Sequence, residues 1–377
     1  MIYANARVYN RDFRFEPGWF SVENGRFAEV GRGACPCPDA VDLGGATVLP
    51  GLVDQHSHGN SGADFSDGDL DGLRKMALYL GRSGVTSFAP ATMTLPYETI
   101  GKAFRTAAAL RDEAPAGASR LIGVHMEGPF FSEKKKGAQN AAHLRKPDAE
   151  AVARLAEEAD GLLRLVDVAP ELEGAVPFVR EVSRRCTVSI AHTDGAYEDA
   201  RAAIDAGATQ LTHLFNAMPS LHHRKPGVIA AGTESPQVLA ELICDGIHIH
   251  PAMVRLAFAL FGAERMVLIS DALRCTGMPD GTYEFGGQTM TLRGRTCTMP
   301  DGALAGSVSN LFGCMRTAMS FGIPAEDAVR AATYNPAKQL GALDRVGSIE
   351  AGKLADFVVC DAAFDIQSVF IGGAKVE

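Results

Sequence analysis

Between residues 48 and 271 the sequence passes eight times from a short apolar, β-branched run into a polar or amphipathic stretch and back. The runs cover 48–54, 85–89, 121–127, 163–169, 187–192, 209–213, 239–244 and 266–271. Early intervening stretches have helical periodicity. Leu73, Met76, Ala77 and Leu80 share one face, as do Ile100, Ala103, Phe104 and Ala107. Strands that alternate with helices must pair in parallel, and eight is the number that closes a (β/α)8 TIM barrel. The competing architecture is an open, doubly wound sheet. It is disfavoured because no Gly-x-Gly-x-x-Gly turn follows an early strand and because polar residues end nearly every run.

The chain ends follow a different pattern. Residues 2–9, 19–22 and 26–30 are β-rich, and Asn24-Gly25 between the last two reads as a tight hairpin turn. So few strands cannot cover both of their faces. The other end supplies a partner, with turn glycines at Gly347 and Gly352, then Phe357-Val358-Val359 and Val369-Phe370-Ile371. The expectation is a composite β-sandwich domain from residues 1–47 and 344–377, attached to a catalytic barrel over 48–343. The lone Trp19 is expected in the core of the β domain. Glycines and alternating residues over 275–298 predict a hairpin inserted after the last barrel strand.

Composition narrows the function classes. With 377 residues, 46% hydrophobic and 21% charged, the chain reads as a soluble globular protein. A net charge of -9 argues against a nucleic-acid or anionic-membrane surface. No apolar run is long enough to span a membrane and no secretory leader is apparent, so a cytoplasmic location is expected. Eight scattered cysteines suit reduced thiols rather than a disulfide framework. Cys35-Pro36-Cys37 resembles half a zinc knuckle, but no second pair has matching spacing, and it reads as a loop.

Chemistry gathers at the strand ends. In His56-Ser57-His58 two imidazoles separated by one residue share a strand face and can grip one metal ion. In a barrel the same rim also receives Glu127, His192, His213 and Asp271. Taken singly, a strand-end histidine is more often a hydrogen-bonded structural residue, and a strand-end carboxylate more often caps the next helix. Their arrival together on five strand ends predicts one divalent ion, or two sharing a carboxylate. The basic run His222-His223-Arg224-Lys225 has a bland reading as a solvated loop. In so acidic a chain, directly after a ligand strand, it suits an anionic substrate better, since Arg can hold a phosphate bidentately.

The flanking residues carry a resemblance. His125-Met126-Glu127-Gly128-Pro129-Phe130, Ala191-His192-Thr193-Asp194-Gly195, Thr212-His213-Leu214-Phe215-Asn216-Ala217-Met218 and Ser270-Asp271-Ala272 resemble signatures of the N-acetylglucosamine-6-phosphate deacetylases, within the amidohydrolase superfamily. Arg224-Lys225-Pro226-Gly227, Asp245-Gly246-Ile247-His248 and Leu304-Ala305-Gly306-Ser307 are similar too. The resemblance covers essentially the whole chain. It implies a TIM barrel, a divalent metal (Zn2+ or Fe2+), a homodimer, and hydrolysis of the acetamide of a 6-phosphorylated amino sugar. It further implies Glu127, His192 and His213 as the main metal ligands and Asp271 as the acid/base. Substrate contacts fall on Asn216, Ala217, Arg224 and His248, one of them acting across a dimer interface. Ala138, Gln139, Leu304, Ala305 and Gly306 are carried as further substrate-binding positions.

Two departures matter. The single-metal branch has Gln-x-Asn where His56-x-His58 stands, and a histidine where Gln139 stands. A second ion held by His56, His58 and a bridging Glu127 is therefore expected, polarising the substrate carbonyl with Gln139 donating at most a hydrogen bond. His143, close to Gln139, matches no signature and is given no role.

Three rivals remain. Dihydroorotase and hydantoinase types bridge two metals with a carboxylated lysine at the end of the fourth strand. Here that strand ends Val168-Ala169-Pro170-Glu171 without one. The same deacetylation of N-acetylgalactosamine 6-phosphate differs only in the direction of one hydroxyl. A non-catalytic sugar-phosphate sensor would have no use for Asp271.

Overall fold

The computed structural model describes residues 1–377. Its parallel strands are Leu52–Asp54, Val85–Phe88, Val124–Met126, Leu163–Val168, Thr187–Ile190, Gln210–Leu211, Leu239–Ile243 and Met266–Ile269. The last six pair in chain order, and the first pairs with the second. A parallel bridge between Ala91 and His125 connects the two groups. The last strand reaches back to the first, since Asp271 N donates to His56 O at 2.9 Å and Ser270 Oγ to Asp54 Oδ2 at 2.5 Å. The architecture is thus a parallel α/β fold of the barrel type.

The helices bury the faces that their periodicity marks. Leu73, Met76, Ala77 and Leu80 of Leu70–Arg82, and Ile100, Ala103, Phe104 and Ala107 of Tyr97–Glu113, are all buried in the main apolar core. Asp69 caps the first of these helices by accepting from Asp71 N and Gly72 N. A smaller cluster of Val53, Ile122 and Leu165 with Ala337, Leu340 and Val346 fastens the strands to helix Tyr334–Gln339 and the segment after it.

The two chain ends share one sheet. Ile2–Tyr9 pairs with Phe15–Glu23 and Thr47–Pro50; Thr47–Pro50 pairs with Phe357–Cys360, which continues into Ile366–Ile371. Asn24 and Gly25, with φ of 49° and 75°, form the hairpin turn that leads into Arg26–Arg32. The layers read from sequence as a sandwich are faces of this one sheet curled on itself. Phe20 and Phe357, on strands separated by two others, meet at 4.9 Å between ring centres. The edges are drawn together as Phe27 N donates to Lys353 O and Ala355 N to Gly25 O.

Three details differ from the sequence reading. The run 48–54 is not one strand, because it breaks at Gly51. Gly51 N donates to Asp356 O on the composite sheet, whereas Leu52 N donates to Gly84 O beside the barrel. Trp19 is half-buried rather than core, its indole lying over Gly31 of the neighbouring strand, where a side chain would collide with it. The insertion after the last barrel strand has three strands, Gly281–Phe285, Gln288–Arg293 and Thr296–Thr298, not two. Its own small core contains Met93, Leu273, Phe285 and Met290.

Candidate metal centre and active site

The ligand-bearing strand ends turn sharply. His192, His213 and Asp271 have φ of 44°, 31° and 47°, a left-handed conformation that side chains other than glycine rarely adopt. Such strain persists only where the surroundings enforce it, and it clusters at working sites. Here the enforcement is visible. Asp271 O accepts from Ser307 N at 2.7 Å, and the residue after His213 donates through Leu214 N to Glu241 O at 2.7 Å.

These turns aim six side chains at one point. Glu127 Oε1 lies 3.2 Å from both His192 Nε2 and His213 Nε2, which are themselves 3.1 Å apart. The other carboxylate oxygen, Oε2, is 3.3 Å from His58 Nε2. Asp271 Oδ1 stands 3.2 Å from His58 Nε2 and 3.7 Å from His56 Nε2. All six side chains are buried. Glu127, His192 and His213 form one group with metal-ligand spacing, and His56, His58 and Asp271 form another.

Hydrogen bonding determines which atoms face inward. His192 Nδ1 donates to Lys135 O at 2.9 Å and His58 Nδ1 to Ala91 O at 3.1 Å. A carbonyl can only accept, so each ring carries its proton on Nδ1 and turns Nε2 toward the carboxylates. His56 Nε2 is buried without a hydrogen-bond partner. Lone pairs thus meet carboxylate oxygens and one another, an arrangement that requires positive charge between them. Burial disfavours a charged His56, yet Glu241, Glu127 and Asp271 outweigh it and push its pKa up to about 10. His58 and His213 are raised for the same reason, against burial. Burial would lift Glu127 and Asp271, but the surrounding imidazoles hold both carboxyls below their ordinary range. Imidazole nitrogens and carboxylate oxygens that share an unmet need for positive charge fit a divalent ion.

A cavity of about 140 Å³ opens above this cluster, lined by Ala138, Gln139, Asn216, Ala217, His248, Leu304, Ala305 and Gly306 as well as by His58, Glu127, His192, His213 and Asp271. The structure therefore brings together all the sequence-derived site residues except Arg224, which is exposed and pairs with His223 outside the lining. Gln139 is committed on both sides of its amide. Its Nε2 donates to Glu127 Oε2 at 2.6 Å, and its Oε1 accepts from Thr94 N at 2.7 Å. Phe285, from the inserted sheet, packs edge-on to His58 at 5.4 Å and walls the cavity.

Sequence reasoning passed over the buried carboxylates that face histidines in and around the site. Glu241, fully buried, faces His56 Nδ1 at 3.0 Å. His125 Nε2 faces Asp167 Oδ1 at 2.9 Å, and Asp245 Oδ2 faces His248 Nδ1 at 2.8 Å. The available signal was a carboxylate inside an apolar strand run, since a buried charge persists only with partners.

Comparison with known proteins places the whole chain. Residues 47–376 match the amidohydrolase family. The chain is 36% identical to N-acetylglucosamine-6-phosphate deacetylase of Bacillus subtilis (strain 168), over 93% of this chain and 90% of that one. It is 35% identical to N-acetylgalactosamine-6-phosphate deacetylase of Escherichia coli O157:H7, over 95% and 96%. Among solved structures, N-acetyl-D-glucosamine-6-phosphate deacetylase from Mycobacterium smegmatis superposes with a TM-score of 0.94 at 33% identity, covering 100% of both chains. An aspartate-to-alanine variant of that enzyme, in complex with N-acetyl-D-glucosamine-6-phosphate, also gives 0.94, over 100% and 99%. With nearly its whole length matched to these enzymes, the chain belongs to the amidohydrolase family, among the amino-sugar-6-phosphate deacetylases.

Proposed function

We propose that the chain hydrolyses the acetamide of N-acetylglucosamine 6-phosphate to glucosamine 6-phosphate and acetate. The observation that carries this reading is the convergence of Glu127, His192, His213, His56 and His58 on Asp271 beneath a small cavity. The catalytic unit is a (β/α)8 barrel that begins after Gly51 rather than at residue 48 and runs to residue 343, with residues 1–50 and 344–377 as a composite β domain. The gluco epimer is favoured because the relative solved with a bound sugar holds that epimer.

Glu127, His192 and His213 would hold one divalent ion. His56 and His58, sharing Glu127, would hold a second, and this imidazole and carboxylate set suits Zn2+ or Fe2+. When bound, such ions lower the pKa of water towards about 7 and polarise a carbonyl oxygen. The rest falls to the chain's own groups. Asp271, deprotonated and 3.2 Å from His58, is placed to accept the attacking water's proton and return it to the departing amine nitrogen. Gln139 donates to Glu127, leaving at most one N–H for the amide oxygen. Asn216 and His248 line the cavity for the sugar hydroxyls and the phosphate. Arg224 lies outside that lining, which supports a homodimer in which this loop reaches the neighbouring site. A cytoplasmic location suits a phosphorylated substrate and eight free thiols.

Acetate release from the two epimeric 6-phosphates tests the assignment. The gluco substrate is expected to turn over faster, and Asp271→Asn to lower its kcat by about 10²- to 10⁴-fold. No acetate from either sugar would overturn the deacetylase reading.

A further inference from the structure

The middle of strand Leu239–Ile243 contains a residue that its environment should exclude. Glu241 has no exposed surface and lies among Leu239, Ala240, Leu242 and Ile243, all buried. A carboxylate in such a place is tolerated only if donors surround it. Glu241 Oε1 accepts from Gln55 Nε2 at 2.7 Å and from Gln210 Nε2 at 2.8 Å. Its Oε2 faces His56 Nδ1 at 3.0 Å and, more loosely, His213 N at 3.4 Å. No lysine or arginine is among these partners.

We infer that Glu241 is a positioning residue that makes His56 a metal ligand and supplies part of the charge that a second ion requires. The first part follows from hydrogen-bond chemistry. A carboxylate opposite Nδ1 fixes the proton on that nitrogen, so Nε2 presents its lone pair to Glu127 and Asp271 at 3.6 and 3.7 Å. Gln55 and Gln210 hold the carboxylate from behind, so the ring cannot swing with it. The second part follows from counting charge. Glu127 and Asp271 together carry two negative charges, enough to balance one divalent ion. Glu241 adds a third, one of the two that a second divalent ion calls for, and its contact is with His56, one of the two histidines assigned to that ion. Glu241 also holds the His213 turn through Leu214 N, so the two halves of the metal cluster rest on one strand.

The inference rests on the two-ion reading above, and its test separates the two. Metal-free protein and its Glu241→Gln variant are titrated with Zn2+ alone, and stoichiometry and affinity are read by calorimetry and metal analysis. The unmodified chain should take up two equivalents. The variant should keep the first and bind the second about 10- to 100-fold more weakly, the usual effect of removing a group that orients a metal-bound histidine. If the unmodified chain takes up two and the variant binds the second as tightly, Glu241 is packing only and the inference falls. If the unmodified chain takes up one equivalent, the two-ion reading falls, and with it the role of Glu241. Should the variant fail to fold, 15N-histidine NMR of the unmodified Zn2+-loaded protein decides. His56 protonated on Nδ1, with Nε2 shifted by metal, upholds the inference; a proton on Nε2 overturns it.

Discussion

His248 satisfies two acceptors at once: Asp245 Oδ2 at 2.8 Å from Nδ1 and Ala305 O at 3.0 Å from Nε2. Neither partner can donate while Asp245 is ionised, so both ring nitrogens carry protons and the side chain is an imidazolium. Burial opposes that charge, but Asp245 outweighs it and holds the pKa above its ordinary 6.5; burial likewise opposes ionised Asp245, but His248 draws that carboxyl below 3.8. The raised histidine contributes stability below pH 6.5, lost as pH rises through its folded value. The depressed aspartate contributes above pH 3.8, lost as pH falls through its folded value. Asp245→Asn should therefore destabilise most between those two pH values, by about 2 kcal/mol. Thermal unfolding at pH 5.5 and pH 9 checks this, and an equal loss at both would disprove the pairing. Arg224 acts at the same scale but from outside the lining. Arg224→Ala should raise KM for the phosphorylated sugar about 10- to 100-fold, while hardly touching an unphosphorylated acetamide. Comparable losses on both substrates would remove the phosphate role.

At the scale of elements, Gly51 is the hinge between two sheets. A methyl group there would overlap the Thr86 side chain on the neighbouring barrel strand. Gly51→Ala should cost about 1–3 kcal/mol by overpacking, and Thr86→Ala in the same chain should recover part of it. Denaturant titration of the three variants reads this directly, and additive losses would show the two sites to be uncoupled. Gly51 also shows why the strands were legible but their junction was not. Parallel strands buried on both faces are near-continuous apolar runs, so the eight strands stand out in the sequence. The two short strands on either side of Gly51 look identical by that criterion, and only their partners tell them apart. The same holds in the site. His56, His58, Glu127, His192, His213 and Asp271 were visible because each ends a strand. Glu241 sits within one, marked only as a carboxylate in an apolar run, and its partners Gln55 and Gln210 lie far away in sequence. Arg224 was legible as a basic loop residue but not in its place outside the cavity lining, because the path of an exposed loop leaves no periodicity in the sequence.

For the molecule as a whole, the ligand cluster stores like charges and opposed lone pairs at the centre of a barrel. An ion that binds only the folded form stabilises it by about 2.7 kcal/mol when present at about 100 times its Kd. Removing metal with a chelator should therefore lower the melting temperature by several degrees, and adding back Zn2+ should restore it. An unchanged melting temperature would argue against a structural contribution from the ion. No helix is long and apolar enough to cross a membrane.

The curled sheet has a consequence for biosynthesis. Strand Thr47–Pro50 has as its lateral neighbour Phe357–Cys360, made some three hundred residues later. Through nearly all of translation the nascent N-terminal hairpins display a bare edge whose mate does not yet exist, and such edges recruit other chains. Until Phe357–Cys360 has been made, that edge is a place where the chain is open to aggregation.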